Sequence, residues 1–312
     1  MRVAILGAGA MGSWFGGQLA LQGQEVQLLT TNRAHINAVN DDGLKMQVHG
    51  DERTVATVRL TARDPAEYDG SAELMIVLTK SYQTTAAMQS VAPALCKNTA
   101  VLTLQNGLGN AEAIAAFVNA ENIWMGMSMM PVDRIAPGIV ASRGMGPTIF
   151  GHLHATHRPF GDAIVDAFEG TGMTILHDPD VQSRIWEKVA FNSGMNALCA
   201  LSHGTPGTVG ELPDAQSLAR AVATEVVDVA SAEGVLVSLD AVFDTIAYAC
   251  EHHGSHKASM LQDLLSGKRT EVDALNGAIV NRGKRRGIPT PLNATLATLI
   301  RLAELGDHAV VS

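Results

Sequence analysis

Along the first half of the chain, short apolar runs alternate with longer stretches whose apolar positions recur every three or four residues. The runs at 2–6, 25–30, 74–79, 100–104 and 123–128 read as buried strands, and the stretches 11–22, 33–41, 83–94 and 109–118 as helices. Such alternation predicts parallel βαβ units wound into one sheet. Segments 44–49 and 54–60 look like an antiparallel excursion, and 138–151 carries Gly138, Gly144, Gly146 and Gly151 between short apolar runs, again like β structure. Beyond His177-Asp178-Pro179 the strand pattern stops. Helical periodicity then covers 180–201, 212–233, 239–252, 256–265, 271–286 and 290–305, with loop markers at Gly204-Thr205-Pro206-Gly207 and Gly287-Ile288-Pro289. The prediction is an α/β doubly wound sheet domain over 1–178 and an all-helical domain over 179–312.

The first strand and helix are joined by Gly7-Ala8-Gly9-Ala10-Met11-Gly12. In this spacing Gly7 permits the tight turn, Gly9 lets a pyrophosphate approach the backbone, and Gly12 lets the helix pack close to the strand. A phosphate then rests on free N–H groups at the helix N-terminus. Glycine-rich turns are common, but this one follows a strand and opens a helix, which makes the first domain Rossmann-type and dinucleotide binding the expectation. The second strand, Glu25 to Thr30, ends at Thr31-Asn32-Arg33, without the carboxylate that binds the ribose of NAD. Hydroxyl, amide and guanidinium groups suit a 2′-phosphate, so Thr31 and Arg33 point to NADP(H). A solvated first-turn residue is the plainer alternative for Arg33.

Composition narrows the class. The 312 residues are 46% hydrophobic and 17% charged, enough for two buried cores, and the net charge of −9 argues against nucleic acid as a partner. Lys284-Arg285-Arg286 reads as a helix C-terminus before Gly287. The three cysteines form no C-x-x-C pair, which fits a reducing, cytoplasmic setting. No secretory leader is expected before the first strand, and no apolar stretch is long enough to span a membrane. His252 and His256 are four apart, but Gly254 interrupts them and no further ligand follows; His152, His154 and His157 read as a surface loop. No metal is expected.

The candidate chemistry lies mostly in the second half. In Arg184 to Cys199, Lys188, Asn192 and Asn196 recur every four residues. Each step advances about 400°, so the three share one helical face, drifting only about 40° per step. On a helix otherwise so apolar, an ammonium and two amides are costly to bury without partners and more useful lining a polar site. An exposed polar stripe is the plainer alternative. Thr270 with Asp273 resembles an N-cap and its acid, which makes Glu271 a carboxylate at a helix N-terminus. In the first domain, Lys80 and Asn106 follow strands at the carboxyl edge where ligands of such sheets sit; a turn Asn before Gly107 and a solvated Lys are the plain readings.

Taken in order, these residues resemble the ketopantoate reductases (2-dehydropantoate 2-reductases). The resemblance spans nearly the whole chain. It rests on the glycine turn, Lys80, Asn106-Gly107-x-Gly109, Trp186-x-Lys188-x-x-x-Asn192-x-x-x-Asn196, Ser259-Met-Leu-Gln-Asp263 and Thr270-Glu271-x-Asp273-x-x-Asn276-Gly277. It implies NADPH-dependent reduction of 2-dehydropantoate to pantoate in the pantothenate pathway. Lys188 is then the acid at the keto oxygen, Glu271 lies in the substrate site, and Asn106 helps position lysine and cofactor. Asn192, Asn196 and Ser259 become substrate contacts, with His256 where some members carry a substrate-facing Asn. Lys80 belongs near the cofactor. Thr31 replaces an Arg common in the family, and Met127-Ser128-Met129-Met130 lacks a Thr-His pattern of several members. Two alternatives stay open: a D-2-hydroxyacid dehydrogenase acting on another 2-keto acid, and a nucleotide-sensing protein without turnover. The expected partner is a small 2-keto acid, and apolar helices in the second domain are compatible with a homodimer.

Overall fold

The computed structural model describes residues 1–48, 54–154, 158–252, 254 and 256–306; residue 49 of the expected excursion and His157 lie outside them. Among the described residues the strands are β1 (Arg2–Leu6), β2 (Glu25–Leu29), β3 (Leu44–Val48), β4 (Thr54–Val58), β5 (Thr61–Arg63), β6 (Leu74–Val77), β7 (Ala100–Thr103), β8 (Ile123–Ser128), β9 (Val132–Ala136), β10 (Ile139–Ser142), β11 (Thr148–His152) and β12 (Ile175–His177). The helices are α1 (Ala10–Leu21), α2 (Arg33–Asp42), α3 (Thr84–Val91), α4 (Asn110–Ile114), α5 (Pro159–Ala167), α6 (Val181–Ser202), α7 (Pro206–Glu211), α8 (Pro213–Ala232), α9 (Leu239–His252), α10 (Ser259–Leu265), α11 (Asn276–Arg286) and α12 (Pro291–Gly306).

The main sheet runs β12-β11-β8-β7-β6-β1-β2-β5. Its pairings are parallel except β8 with β11. The connections reverse direction between β1 and β6, which is where a doubly wound sheet opens its ligand crevice. The excursion is real and belongs to a second sheet, β4-β3-β10-β9, in which β3 and β4 are antiparallel. Helix α1 packs on β1 and β2 of one sheet and on β3, β9 and β10 of the other. That explains its apolar character all round, with Trp14, Phe15 and Leu19 fully buried.

The chain divides into two compact units: residues 1–105 with 110–181, and residues 106–109 with 182–312. Unlike the single cut expected at 178, the turn Asn106–Gly109 belongs with the helices, because Leu108 N donates to Ala274 O at 2.8 Å. Gly107, at φ +82, lets that backbone approach, since a Cβ there would stand 2.4 Å from Ala274 O. The core of the helical unit is built from Val189 and Ala197 of α6, Val222 and Val226 of α8, Ile246 of α9, Ile279 of α11 and Ile300 of α12.

Several expected elements differ in extent. Pro213 starts α8 and separates it from the short α7. Three-residue 3-10 turns flank α3, the second containing Pro93. The helix expected from 271 begins only at Asn276, its Leu275 cap making no side-chain bond. Thr270 does not cap it. Its Oγ1 accepts instead from Val272 N at 3.2 Å, within the turn formed by residues 271–275, while its hydroxyl and amide donate to Glu304 Oε1, at 2.6 and 2.7 Å. His152 is not in a surface loop either: it ends β11, 1% exposed, with its ring edge-on to Trp124. Gly287, at φ 71, closes α11 after the basic triplet as expected.

Candidate active site

The first unit carries the candidate dinucleotide cradle. Gly7, at φ +101, lies so close to the turn after β6 that a Cβ would stand 2.4 Å from Thr79 N. At Gly12 a Cβ would stand 2.3 Å from Gly7 O, whereas at Gly9 it would meet nothing within 4 Å. Two glycines are therefore required by the protein itself, and the third leaves open space. No side chain caps α1, and its first helical bond is Ser13 N to Gly9 O. The amides of Ala10, Met11 and Gly12 thus have no helical acceptor. An open glycine beneath amides of a helix N-terminus fits a pyrophosphate. The turn is held by Gly7 N and Ala8 N, both donating to Leu29 O at the end of β2.

Around this cradle stand the other expected cofactor residues. Thr31 is exposed beyond β2, and Asn32 caps α2 by accepting from His35 N at 3.0 Å. Arg33 is exposed and ion-paired with Asp64 and Glu67, at 3.6 and 3.7 Å. Lys80 follows Thr79 at the carboxyl end of β6, partly buried. Gln105, which the sequence reading passed over, locks this edge: its Nε2 donates to Thr79 O, Thr79 Oγ1 and Thr84 Oγ1, and its Oε1 accepts from Thr103 Oγ1. Its position directly before Asn106 was the available signal.

The helical unit brings three expected residues together. Lys188 Nζ donates to Asn106 Oδ1 at 2.9 Å, and Asn106 Nδ2 donates to Glu271 Oε2 at 3.3 Å. Desolvation lowers the Lys188 pKa to about 8, against the opposing pull of Glu271. Glu271 is 7% exposed, and the turn that carries it is held from α12 through Thr270–Glu304 and through Arg301, which donates to Asp273 Oδ1. Glu304 therefore supports the site from 34 positions away, a partnership no local pattern signals. Asn192 and Asn196, each 7% exposed, continue the Lys188 face of α6. Ser259 opens α10 and is exposed; His256 lies just before that helix, partly buried. His252 ends α9, so the two histidines do not share a helix. Among the described residues no three His, Cys, Asp or Glu side chains gather as a metal site needs, and no helix is long and apolar enough to cross a membrane.

A half-desolvated ammonium, fixed by an amide that is itself fixed by a carboxylate, is suited to stabilising negative charge on a substrate oxygen and to giving up a proton.

Comparison with known proteins identifies the family. Residues 3–155 match the family model "Ketopantoate reductase PanE/ApbA", and residues 180–304 match "Ketopantoate reductase PanE/ApbA C terminal". The chain is 37% identical over 304 residues to a 2-dehydropantoate 2-reductase of Halobacterium salinarum, covering 97% of this chain and 99% of the relative. It is 32% identical over 305 residues to one of Streptococcus pyogenes, covering 97% and 98%. Among solved structures, D-mandelate dehydrogenase with NADH and anilino(oxo)acetate superposes with a TM-score of 0.92 at 29% identity, covering 98% of this chain and 99% of the other. A PanE/ApbA family ketopantoate reductase from Ralstonia eutropha JMP134 superposes with 0.90 at 31% identity, covering 99% and 100%.

Proposed function

Because the chain belongs to the ketopantoate reductase PanE/ApbA family of oxidoreductases, we propose that it reduces 2-dehydropantoate to pantoate with NADPH, using Lys188 as the general acid. The observation that carries this reading is the hydrogen-bonded chain Lys188–Asn106–Glu271. NADPH supplies the hydride when bound, at the cradle of Gly7 to Gly12.

Reduction of a ketone builds negative charge on its oxygen. The Lys188 ammonium stabilises that charge where it develops and delivers the proton that completes the hydroxyl. Asn106 aims the ammonium, and Glu271 aims Asn106. Asn192, Asn196, Ser259 and His256 offer hydrogen bonds to the substrate's carboxylate and hydroxyl, holding C2 in a reactive orientation. Ketopantoate added to protein and NADPH is expected to give pantoate, identified by mass spectrometry, with little product from Lys188→Ala. Absence of pantoate from the wild type removes the reading.

A second reading is favoured by the D-mandelate dehydrogenase neighbour: reduction of a bulkier 2-keto acid with NADH. Asp64 and Glu67 beside Arg33 place negative charge close to where a 2′-phosphate would need to bind. Arg33 is 66% exposed, so these pairs are weak and readily exchanged, which keeps NADPH the first choice.

A further inference from the structure

His35 is fully buried at the third position of α2, two residues beyond Arg33, and both ring nitrogens are engaged. Gly138 N donates to Nδ1 at 3.0 Å. A backbone amide can only donate, so Nδ1 carries a lone pair and the ring proton sits on Nε2. Nε2–H then donates to Ser13 Oγ, 3.0 Å away, and the Ser13 hydroxyl passes its own proton's bond to Ala8 O at 3.4 Å. Ser13 is fully buried in the first turn of α1. Burial and the nearby Arg134 push the His35 pKa down to about 4, so the ring is neutral and this single tautomer persists.

We propose that His35 is a positioning residue for the dinucleotide site, bolting the pyrophosphate turn at Ala8–Ser13 to the Thr31–Arg33 turn that faces the adenosine ribose. Two ligand-binding segments from different βα connections share one imidazole. The Gly138 amide, contributed by the turn between β9 and β10, orients the ring. That turn is tightly packed on α2, since a Cβ on Gly138 would stand 2.9 Å from Ala38 Cβ. The backbone N–H of His35 serves the same end by donating to Asn32 Oδ1, which closes the Thr31–Arg33 turn. The bolt fixes the separation of the two segments before the dinucleotide arrives, so less ordering is left to binding.

This inference rests on the glycine turn being the cofactor cradle, and the test separates the two. Calorimetric titration with NADPH and with adenosine 2′,5′-bisphosphate is run on wild type, His35→Gln, His35→Asn, Ser13→Ala and His35→Asn/Ser13→Ala. Gln can reproduce the Nε2 donor to Ser13; Asn can reproduce only the acceptor toward Gly138. His35→Asn and Ser13→Ala are expected to weaken both ligands by roughly tenfold, the double variant no more than either single, and His35→Gln to retain most of the affinity. Thermal midpoints without ligand are expected to fall by similar amounts in His35→Asn and His35→Gln, because each loses one ring bond. Ser13→Ala, the smaller change, carries the comparison if His35→Asn does not fold. Affinities at wild-type level in Ser13→Ala and His35→Asn, or losses equal in His35→Asn and His35→Gln, overturn the proposal while leaving the cradle intact. A wild type that binds neither NADPH nor NADH overturns the cradle and this inference with it.

Discussion

Lys188 and Asn106 stand 82 positions apart and meet at 2.9 Å, the amide oxygen accepting from the ammonium. The amide's other end donates to Glu271, so three residues from three segments act as one hydrogen-bonded unit. Breaking its middle link tests whether the unit matters. Asn106→Ala is expected to lower kcat by about 10- to 100-fold, with the dissociation constant for NADPH changed far less, in steady-state assays paired with cofactor titration. A kcat within a factor of two of wild type removes Asn106 from the mechanism.

The lysine must be protonated to act as an acid. With its pKa lowered to about 8, kcat is expected to be full below that value and to fall as pH rises through it. Asn106→Asp places a carboxylate beside the ammonium, favours its charged form and moves the alkaline limb upward by about one unit. A limb that ignores the new charge belongs to some other group.

The glycines of the cradle separate cofactor binding from folding. Gly9→Ala adds a Cβ into open space and is expected to keep the thermal midpoint while weakening NADPH. Gly12→Ala forces a Cβ to within 2.3 Å of Gly7 O and is expected to cost about 1–3 kcal/mol of stability by chemical denaturation. Equal stability losses in both contradict the different roles assigned to the two positions.

Buried neutral His35 also sets an acid limit. Its folded pKa, about 4, lies below the 6.5 of an unfolded chain, so the unfolded state binds the extra proton between those values. Stability is full above pH 6.5 and falls by about 3 kcal/mol as pH drops to 4. His35→Gln, with no ring to titrate, is expected to flatten that part of the stability–pH curve measured by urea unfolding.

Much of this was legible before the structure. Four apolar residues ahead of Gly7 identify a buried strand, and the period of four through Lys188, Asn192 and Asn196 identifies a helical face, because both signals are local. What escaped depends on partners distant in sequence. Thr270 reads as a helix cap, but its hydroxyl oxygen accepts from Val272 N within a turn that Glu304 anchors from α12, so Glu271 sits in a turn rather than at a helix start. Strands β5, β9 and β12 are short and mixed in polarity, as in Val132-Asp-Arg-Ile-Ala136, and are made by their neighbours in the sheet. His35 reads as an ordinary helix residue, since Ser13 and Gly138 come from 22 and 103 positions away.

The most direct test of the account compares kcat/KM for ketopantoate and for benzoylformate, each with NADPH and with NADH, on the same preparation. The account predicts that ketopantoate with NADPH exceeds the other three combinations. A preference for benzoylformate with NADH contradicts it and assigns the Lys188–Asn106–Glu271 unit to a different 2-keto acid.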